Sequence, residues 1–351
     1  MGITREDVIN CYRYILGREP ESDAVIEAHL HRFKSLAELR KNFLNCNEFV
    51  KTWGVLAQYG NVFYFYNTAV GDLTNYIVKY AKDNLSPTLG TVTNCFGVKI
   101  KTDFFPSILA GCENTVEGLP IPANWHTDIA EIGSILRAVE LSGDTFNIIE
   151  LGCGWGAWLN IAGKVAKDSG KKIHLFGVEG DIEHLKMAEE ALPMNGFVSD
   201  EYTLIEGIAA AESGWALFPQ QDTSSWGKQP IFDADEKDIE CYTQQGYSKM
   251  RKITMEQIIE EKTDRIDLLH IDIQGGEENL ILNSLDFLNK HVAMIFIGTH
   301  SRTIEGNIIE FLSDNGWILE VERPAIIHVG NNIFTRVDGC ELWRNPALIK
   351  D

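Results

Sequence analysis

The sequence lacks several features that would assign it to a particular class of protein. It has no CxxC pair and no zinc-ligand spacing, and its seven cysteines are an odd number, so neither a zinc site nor a complete disulfide framework is indicated. No apolar run approaches the roughly 20 residues of a membrane span, and the N-terminus has no apolar signal-peptide core. We therefore expect a cytoplasmic protein with reduced thiols and no membrane span.

Basic residues are also scarce. The 351 residues include 31 Lys and Arg against 51 Asp and Glu, which gives a formal net charge of -20 at pH 7. This composition does not supply the cationic field that attracts the phosphate backbone of a nucleic acid. We therefore predict that nucleic acid is not a partner.

The most informative stretch that is present is residues 147–158, NIIELGCGWGAW. An apolar approach, glycines at 152, 154 and 156, and a following segment of helical composition predict a buried strand, a tight turn and a helix whose N-terminus faces a ligand. A nucleotide-like ligand is the first expectation, because glycine lets the backbone approach a bound molecule closely. The residues predicted to contact it here are Glu150, Gly152, Cys153, Gly154, Trp155 and Gly156.

The charge of Glu150 bears on which nucleotide binds. Gly152, Gly154 and Ala157 also fit the loose spacing of a dinucleotide-binding turn. A carboxylate at the end of the strand would repel a pyrophosphate, whereas it would attract the ammonium and sulfonium of S-adenosylmethionine. The sequence therefore favours S-adenosyl-L-methionine as the cofactor.

Two further strands extend the predicted cofactor site. Residues 172–179 form a second apolar run that ends in Glu179 and Gly180, about 20 residues after the glycines, where a carboxylate can bind both ribose hydroxyls. A third strand near residues 202–206 leads into Gly207 and Ile208, which are candidates for the edge of the adenine because ligands lie outside the carboxyl ends of such strands.

The acceptor end is predicted from the next two strands. Residues 266–273 deliver Asp272 to the cleft, and residues 292–297 lead to His300. Methyl transfer requires removal of a proton from the acceptor oxygen, so His300 is a candidate general base, with Asp272 as the alternative. The nearby residues predicted to contact substrate are Gln274, Glu277 and Arg302. Arg302 could instead pair with a neighbouring acid such as Glu305.

A metal site is suggested by the closeness in sequence of His270, Asp272 and Glu277. Strand alternation puts residues 270 and 272 on one face with His270 one step deeper, which suits packing or support better than joint coordination. We therefore predict no metal.

These motifs resemble one family. The strand, glycine turn, helix and second acid are similar to the cofactor half of a class I methyltransferase, and DLLHIDIQGGE at residues 267–277 resembles the KIDVEGAE type of motif of the FkbM family. The similarity covers about residues 124–322, and Gln274 departs from it because most members carry Glu there. The resemblance implies a Rossmann-like α/β fold, with a mostly parallel seven-stranded sheet and helices on both faces, and a sugar hydroxyl of a glycan or its precursor as acceptor.

The rest of the chain predicts additional segments. Residues 1–50 resemble a small α-helical module that recurs beside glycan-modifying enzymes; we expect it to dock on the enzyme or to mediate homo-oligomerisation. Residues 51–123 are interpreted as an N-terminal extension covering the cofactor cleft, and 124–351 as the methyltransferase domain. Residues 211–250 lack a long periodic element and are interpreted as a lid-like insertion. His126 and Trp226 are candidate substrate contacts.

The sequence leads to one preferred function and two alternatives. The preferred function is a S-adenosylmethionine-dependent O-methyltransferase acting on a small-molecule or glycan hydroxyl. A non-catalytic glycan-binding or scaffold protein that keeps the fold is the second interpretation. A nicotinamide-dependent oxidoreductase is the third.

Overall fold

The computed structural model describes residues 3–16, 18–44, 46, 48–49, 66–220, 226–232, 234–260 and 262–349. Residues 51–65 of the expected N-terminal extension and residues 221–225 and 233 of the expected insertion lie outside this set. The chain divides into two compact units at residues 65 and 66.

The N-terminal unit is helical. Its helices are Arg5–Cys11, continued by a π-helical turn Tyr12–Leu16, then Asp23–Arg32 and Leu36–Leu44. Thr4 and Asp7 form a capping box, which satisfies two free backbone N–H groups at the start of the first helix. The core of this unit is formed by Val8, Cys11, Tyr12, Ile26, Leu39 and Phe43.

The second unit is an α/β structure. Its strands are β1 (Asn67–Thr68), β2 (Thr91–Thr93), β3 (Lys99–Lys101), β4 (Thr115–Val116), β5 (Thr145–Leu151), β6 (Lys172–Glu179), β7 (Tyr202–Glu206), β8 (Ile208–Ala209), β9 (Gly214–Pro219), β10 (Tyr247–Ile253), β11 (Leu268–Ile271), β12 (Met294–Thr299), β13 (Ile318–Arg323), β14 (Ile326–His328), β15 (Phe334–Val337) and β16 (Gly339–Arg344). Its helices are Thr74–Tyr80, Pro106–Leu109, Ile129–Leu141, Ala157–Asp168, Ile182–Met194, Glu236–Gln244, Met255–Ile259, Glu277–Leu282, Leu285–His291 and Arg302–Asp314, with short 3-10 turns at Thr102–Phe104 and Ser199–Glu201.

The main sheet has the strand order β1-β13-β16-β12-β11-β5-β6-β7. Strands β12, β11, β5, β6 and β7 run parallel to one another. Strand β16 runs antiparallel to both β12 and β13. The expected mostly parallel sheet is therefore confirmed, with β16 as its reversed strand. An eighth strand, β1, adds to its edge in antiparallel pairing with β13.

Helices cover both faces of this sheet because the central strands are apolar on both sides. In β5, Phe146 and Ile148 join the core shared with helices Ile129–Leu141 and Ala157–Asp168. Ile149 and Leu151 join the core of the opposite face. Continuous burial of this kind is typical of parallel strands.

The expected lid-like loop at residues 211–250 is partly wrong. Strand β10 pairs with β9 in antiparallel and with β8 in parallel register, and helix Glu236–Gln244 lies between β9 and β10 in the chain. The small sheet buries its own cluster of Ile208, Ala216, Phe218 and Met250. The two long strands pair across many intervening residues, so local periodicity did not reveal them.

Candidate active site

A cavity of about 490 Å³ lies at the carboxyl ends of β5, β6, β11 and β12. Most of the residues that the sequence analysis selected line it: His126, Glu150, Gly152, Cys153, Gly154, Trp155, Glu179, Gly180, Gly207, Ile208, Trp226, Asp272, Gln274 and His300. Gly156, Glu277 and Arg302 do not line it. The structure therefore brings the two predicted halves of the site together, with three corrections.

The glycine turn is shaped first by contacts within the protein. Gly152 has φ +74, and a Cβ there would lie 1.9 Å from the carbonyl oxygen of Asp272. Gly152 is thus required for the turn after β5 to pass the end of β11. Gly156, also at φ +74, is the N-cap of helix Ala157–Asp168. It lies outside the cavity lining, so the structure places it at the helix start and not beside the cavity.

Glu150 lines the cavity, but its carboxylate is engaged by backbone. It is 2% exposed, and its two oxygens accept hydrogen bonds from the N–H groups of Trp158 and Leu159 at 3.3 and 2.9 Å. Burial raises the pKa of Glu150 to about 8. The negative charge that led us to favour a cationic cofactor is therefore largely suppressed at neutral pH, although the residue lies where it was expected.

Glu179 is placed as a ribose-binding acid would be. It ends β6 and lines the cavity; its Oε2 accepts from the N–H of Gly154 and its Oε1 from the N–H of Asp181, both at 2.7 Å. Each oxygen keeps acceptor capacity for a hydroxyl. Burial raises the pKa of this carboxyl. The residue can thus hold a vicinal diol and is itself fixed by the glycine turn.

His300 is surrounded by three carboxylates. Its Nδ1 lies 2.8 Å from Glu277 Oε1, and its Nε2 lies 3.3 Å from Asp272 Oδ1 and 3.9 Å from Asp338 Oδ2. Burial alone would lower the pKa of His300, but hydrogen bonds and charges from Asp272 and Glu277 outweigh it and raise this pKa to about 10. The imidazole therefore carries a proton at neutral pH, which corrects the expectation of a base poised near neutrality.

Glu277 stands behind His300 and not in the cavity. It is fully buried, and its oxygens also accept from the N–H groups of Ile273 at 3.1 Å and Gly275 at 3.0 Å. The predicted substrate contact is therefore wrong. The sequence spacing could not show that the helix beginning at Glu277 turns this side chain toward the next strand.

Asp272, Glu277 and His300 are also a possible ligand set for a metal ion, since their ligand atoms lie within 4.8 Å of one another. This set differs from the one weighed from the sequence, because His300 replaces His270. Coordination by Glu277 would disrupt the hydrogen bonds that fix the turn at residues 273–277 and orient His300.

Gln274 and Arg302 differ in their outcome. Gln274 lines the cavity, and its Nε2 donates to Asp272 Oδ1 at 3.1 Å. Arg302 is exposed, and its Nε donates to the carbonyl oxygen of Ala325 at 2.8 Å. The structure does not bring Arg302 to the cavity, because the first turn of helix Arg302–Asp314 directs it to the loop after β13.

Trp226 lies at the cofactor end of the cavity. Its ring stacks on His184 with centroids 3.9 Å apart and on Phe105 at 4.8 Å, and it lies over Gly154, where a Cβ would approach it to 3.1 Å. Neighbouring Lys228 forms an ion pair with Asp181, and both side chains are almost fully buried. Segment 226–232 therefore closes over the glycine turn.

Several cavity residues were missed or set aside by the sequence analysis. Asp338 directly follows β15, and Phe105 directly precedes helix Pro106–Leu109. Both residues line the cavity. His270 was assigned to packing, yet it lines the deep end of the cavity with His126 and Trp158.

The fold and site together define a class I methyltransferase. The glycine turn after β5, the acid at the end of β6 and the donors around the cavity suit S-adenosylmethionine, which is the cofactor of this class.

Comparison with known proteins identifies the family. Residues 142–319 match the model described as the methyltransferase FkbM domain. A protein of Jannaschia sp. (strain CCS1) named "Putative methyltransferase" is 43% identical over 263 residues, which is 74% of this chain and 94% of that protein. The chain therefore belongs to the FkbM methyltransferase family, and the oxidoreductase alternative is overturned.

Solved structures also match. The methyltransferase FkbM from Methylobacillus flagellatus KT shows 14% identity and a TM-score of 0.39, with 62% of this chain and 54% of that chain covered. The TrmK protein of M. capricolum, in complex with S-adenosyl-homocysteine, shows 11% identity and a TM-score of 0.31, with 60% of this chain and 67% of that chain covered.

Among the described residues, no helix is both long and apolar enough to cross a bilayer.

Proposed function

We propose that the protein is an O-methyltransferase whose acceptor is a sugar hydroxyl of a glycan or glycan precursor. The observation that carries the proposal is the group of Asp272, His300 and Asp338 at one end of the cavity, next to Gln274. Carboxylates, an imidazole and an amide are suited to hydrogen bonding with several hydroxyl groups of one acceptor.

Asp272 is the group we assign as proton acceptor. His300 already carries a proton, so its role is to stabilise the carboxylate of Asp272, which lies 3.3 Å away; burial raises the pKa of Asp272, but the interaction with His300 outweighs this and lowers it. S-adenosylmethionine, when bound, would supply a methyl group attached to a sulfonium. The sulfur would leave as a neutral thioether. The acceptor O–H becomes strongly acidic as its oxygen bonds to carbon, so a weak base at Asp272 is sufficient.

The charge of the molecule and of the site supports an uncharged acceptor. The chain carries a net charge of -20, and the carboxylates of Asp272 and Asp338 lie at the acceptor end beside His300. Phosphate groups would be repelled there. We infer that nucleic acid is not the acceptor, and a gel-shift assay with RNA at low salt should show no complex.

Trp226 lines the cavity and is 39% exposed, but its indole already stacks on His184 and on Phe105. These stacking contacts explain the position of the ring without a sugar. The proposal rests on the polar groups at the acceptor end instead.

The test is transfer of an isotopically labelled methyl group from S-adenosylmethionine to a panel of free, nucleotide-linked and polymeric sugars, read by mass spectrometry. We expect labelled product with the wild type and with Asp286→Asn, an exposed control, and at least about 100-fold less with Asp272→Asn. Full activity of Asp272→Asn would contradict the assigned acceptor end. Binding of S-adenosylhomocysteine without turnover on any hydroxyl would favour the non-catalytic glycan-binding alternative.

A further inference from the structure

The deep end of the cavity contains two histidines fixed by aromatic rings. His270 is 3% exposed; its ring stacks on Phe296 with centroids 5.2 Å apart and lies 5.5 Å from Trp158. His126 lies 5.5 Å from Trp158 and 5.9 Å from Trp155, edge-on to both. Both histidines line the cavity.

Each ring has one buried nitrogen without a partner. The Nδ1 atoms of His126 and His270 are buried and make no hydrogen bond. A buried N–H without an acceptor costs more than a lone pair without a donor, so the proton belongs on Nε2 in each ring. Burial lowers the pKa of both histidines to about 4, so they are neutral at pH 7. Nε2–H is then the group of each ring that can serve a ligand.

The groups beside His270 in the sheet suit an anion, while the nearest ionised carboxylate is Asp272, two residues along the chain. Glu150 lies opposite His270 in the pairing of β5 with β11, is largely uncharged, and uses both oxygens on backbone N–H groups. It therefore neither repels a carboxylate nor offers a charged acceptor to an ammonium. Helix Ala157–Asp168 begins beside it, and the N-terminal end of its dipole favours negative charge.

The strand order indicates which part of a ligand reaches this end. In the sheet, β5 lies between β6 and β11, so the glycine turn after β5 separates Glu179, at the end of β6, from His270 in β11. A ligand whose ribose is held by Glu179 and which crosses Gly152 extends its other end toward His270. In S-adenosylmethionine that end is an amino acid.

We propose that the Nε2–H groups of His270 and His126 bind the carboxylate of the amino-acid part of the cofactor. The proposal rests on the cofactor of the family and is independent of the sugar acceptor. It replaces Glu150 as the expected contact of the methionine part and assigns a binding role to His270, which the sequence analysis had left to packing.

The experiment compares two ligands by calorimetry on the full chain. S-adenosylhomocysteine carries the amino-acid part, whereas 5′-methylthioadenosine keeps the nucleoside and thioether without it. For His270→Phe we expect affinity for S-adenosylhomocysteine to fall about 10- to 100-fold, as for a lost hydrogen bond to a charged group, and affinity for methylthioadenosine to stay the same. His270→Gln, which keeps an N–H donor, should restore part of the loss.

His174→Phe is the matched control. His174 also stacks on a phenylalanine, Phe176 at 4.3 Å, but lies outside the cavity lining, so both affinities should be unchanged. Equal weakening of both ligands in His270→Phe, or no weakening of either, would overturn the proposal.

A carboxylate could also come from an acidic acceptor such as a uronic acid. In that case His270→Phe would leave S-adenosylhomocysteine affinity intact and abolish binding of glucuronate, a result that contradicts our assignment. Absence of S-adenosylhomocysteine binding in the wild type would instead overturn the cofactor assignment and this proposal together. Failure of sugar methylation with normal ligand selectivity would affect only the proposed acceptor.

Discussion

At the acceptor end, a buried hydrogen bond runs from His300 Nδ1 to Glu277 Oε1 at 2.8 Å. Glu277 fixes the imidazole ring and at the same time holds the backbone of the turn that presents Asp272. One side chain therefore sets the relative positions of two others that were predicted to be catalytic, without itself reaching the cavity.

Glu277→Gln removes the negative charge of this side chain and keeps its size. We expect kcat to fall by about 10- to 100-fold, typical for loss of a supporting partner, with little change in KM for S-adenosylmethionine. The pKa of His300 should also fall, since a raising charge is removed; NMR titration of the imidazole measures it. Glu278→Gln, one residue away and bonded to Asn307, is the control. An unchanged His300 titration would contradict the positioning role.

Gly152 tests how closely two strand ends approach each other. Ala at position 152 would place its Cβ 1.9 Å from a backbone oxygen, whereas at Gly170, which has a similar φ of +82, no atom lies within 4 Å. We expect Gly170→Ala to cost about 1–2 kcal/mol for the left-handed conformation alone, and Gly152→Ala clearly more. Urea denaturation measures both, and equal losses would show that the turn relaxes freely.

At the scale of elements, segment 226–232 is held over the glycine turn by Lys228. Lys228→Ala would leave the buried carboxylate of Asp181 without its partner, and breaking such a pair costs about 3–5 kcal/mol. We expect faster hydrogen exchange in residues 226–232 and faster dissociation of S-adenosylhomocysteine. Lys186→Ala, which removes an exposed pair with Glu183 on the same helix, should change neither. Unaltered exchange in Lys228→Ala would mean that the stacking of Trp226 and the backbone pairing of Ile231 with Leu217 hold the segment without Lys228.

The elements show what the sequence could and could not predict. The run of residues 172–179 was predicted as a strand with the same bounds as β6, because a long apolar run between a helix and an acid has few alternatives. Strands β9 and β10 were missed, because their pairing depends on partners far along the chain. For the same reason Asp338 was not linked to His300: the hairpin of β14 and β15 that presents it has no signature of its own.

The candidate site was predictable in position more than in chemistry. The structure places Asp272 and His300 at the strand ends from which they were predicted, since parallel strands deliver their carboxyl ends to one edge; their catalytic roles stay predictions. Protonation states depend on burial and on neighbours from other elements. The charge of Glu150 and the pKa of His300 were therefore both misjudged from sequence alone.

For the whole molecule, several buried groups tie stability to pH. The pKa of His300 is raised from 6.5 to about 10, mainly by Asp272 and Glu277 against the effect of burial, and burial raises the pKa of Glu341 from 4.5 to about 8. In both cases the native state binds more protons than the unfolded state, so the free energy of unfolding falls as pH rises. Burial lowers the pKa of His126 and of His270 to about 4. These two groups therefore make the free energy of unfolding rise with pH below about pH 6.5.

We therefore expect urea denaturation to show a decline in the free energy of unfolding between about pH 6.5 and 10. Glu341→Gln should flatten the part of this decline below about pH 8, because it removes the ionisable group and keeps an acceptor for the N–H of Trp343. A free energy of unfolding that is constant across this range would contradict the assigned protonation states.

Strand β1 has a consequence beyond the site. It pairs with Val321 and Glu322 of β13, and Ala69 N–H continues the pairing to the carbonyl oxygen of Glu320, so the side of β13 that would otherwise be open is occupied. An uncovered strand of that length is a template on which a second molecule can add its own backbone. Because β1 is short, it offers little backbone with which a further chain could pair. We therefore expect it to limit edge-to-edge aggregation of the enzyme at high concentration.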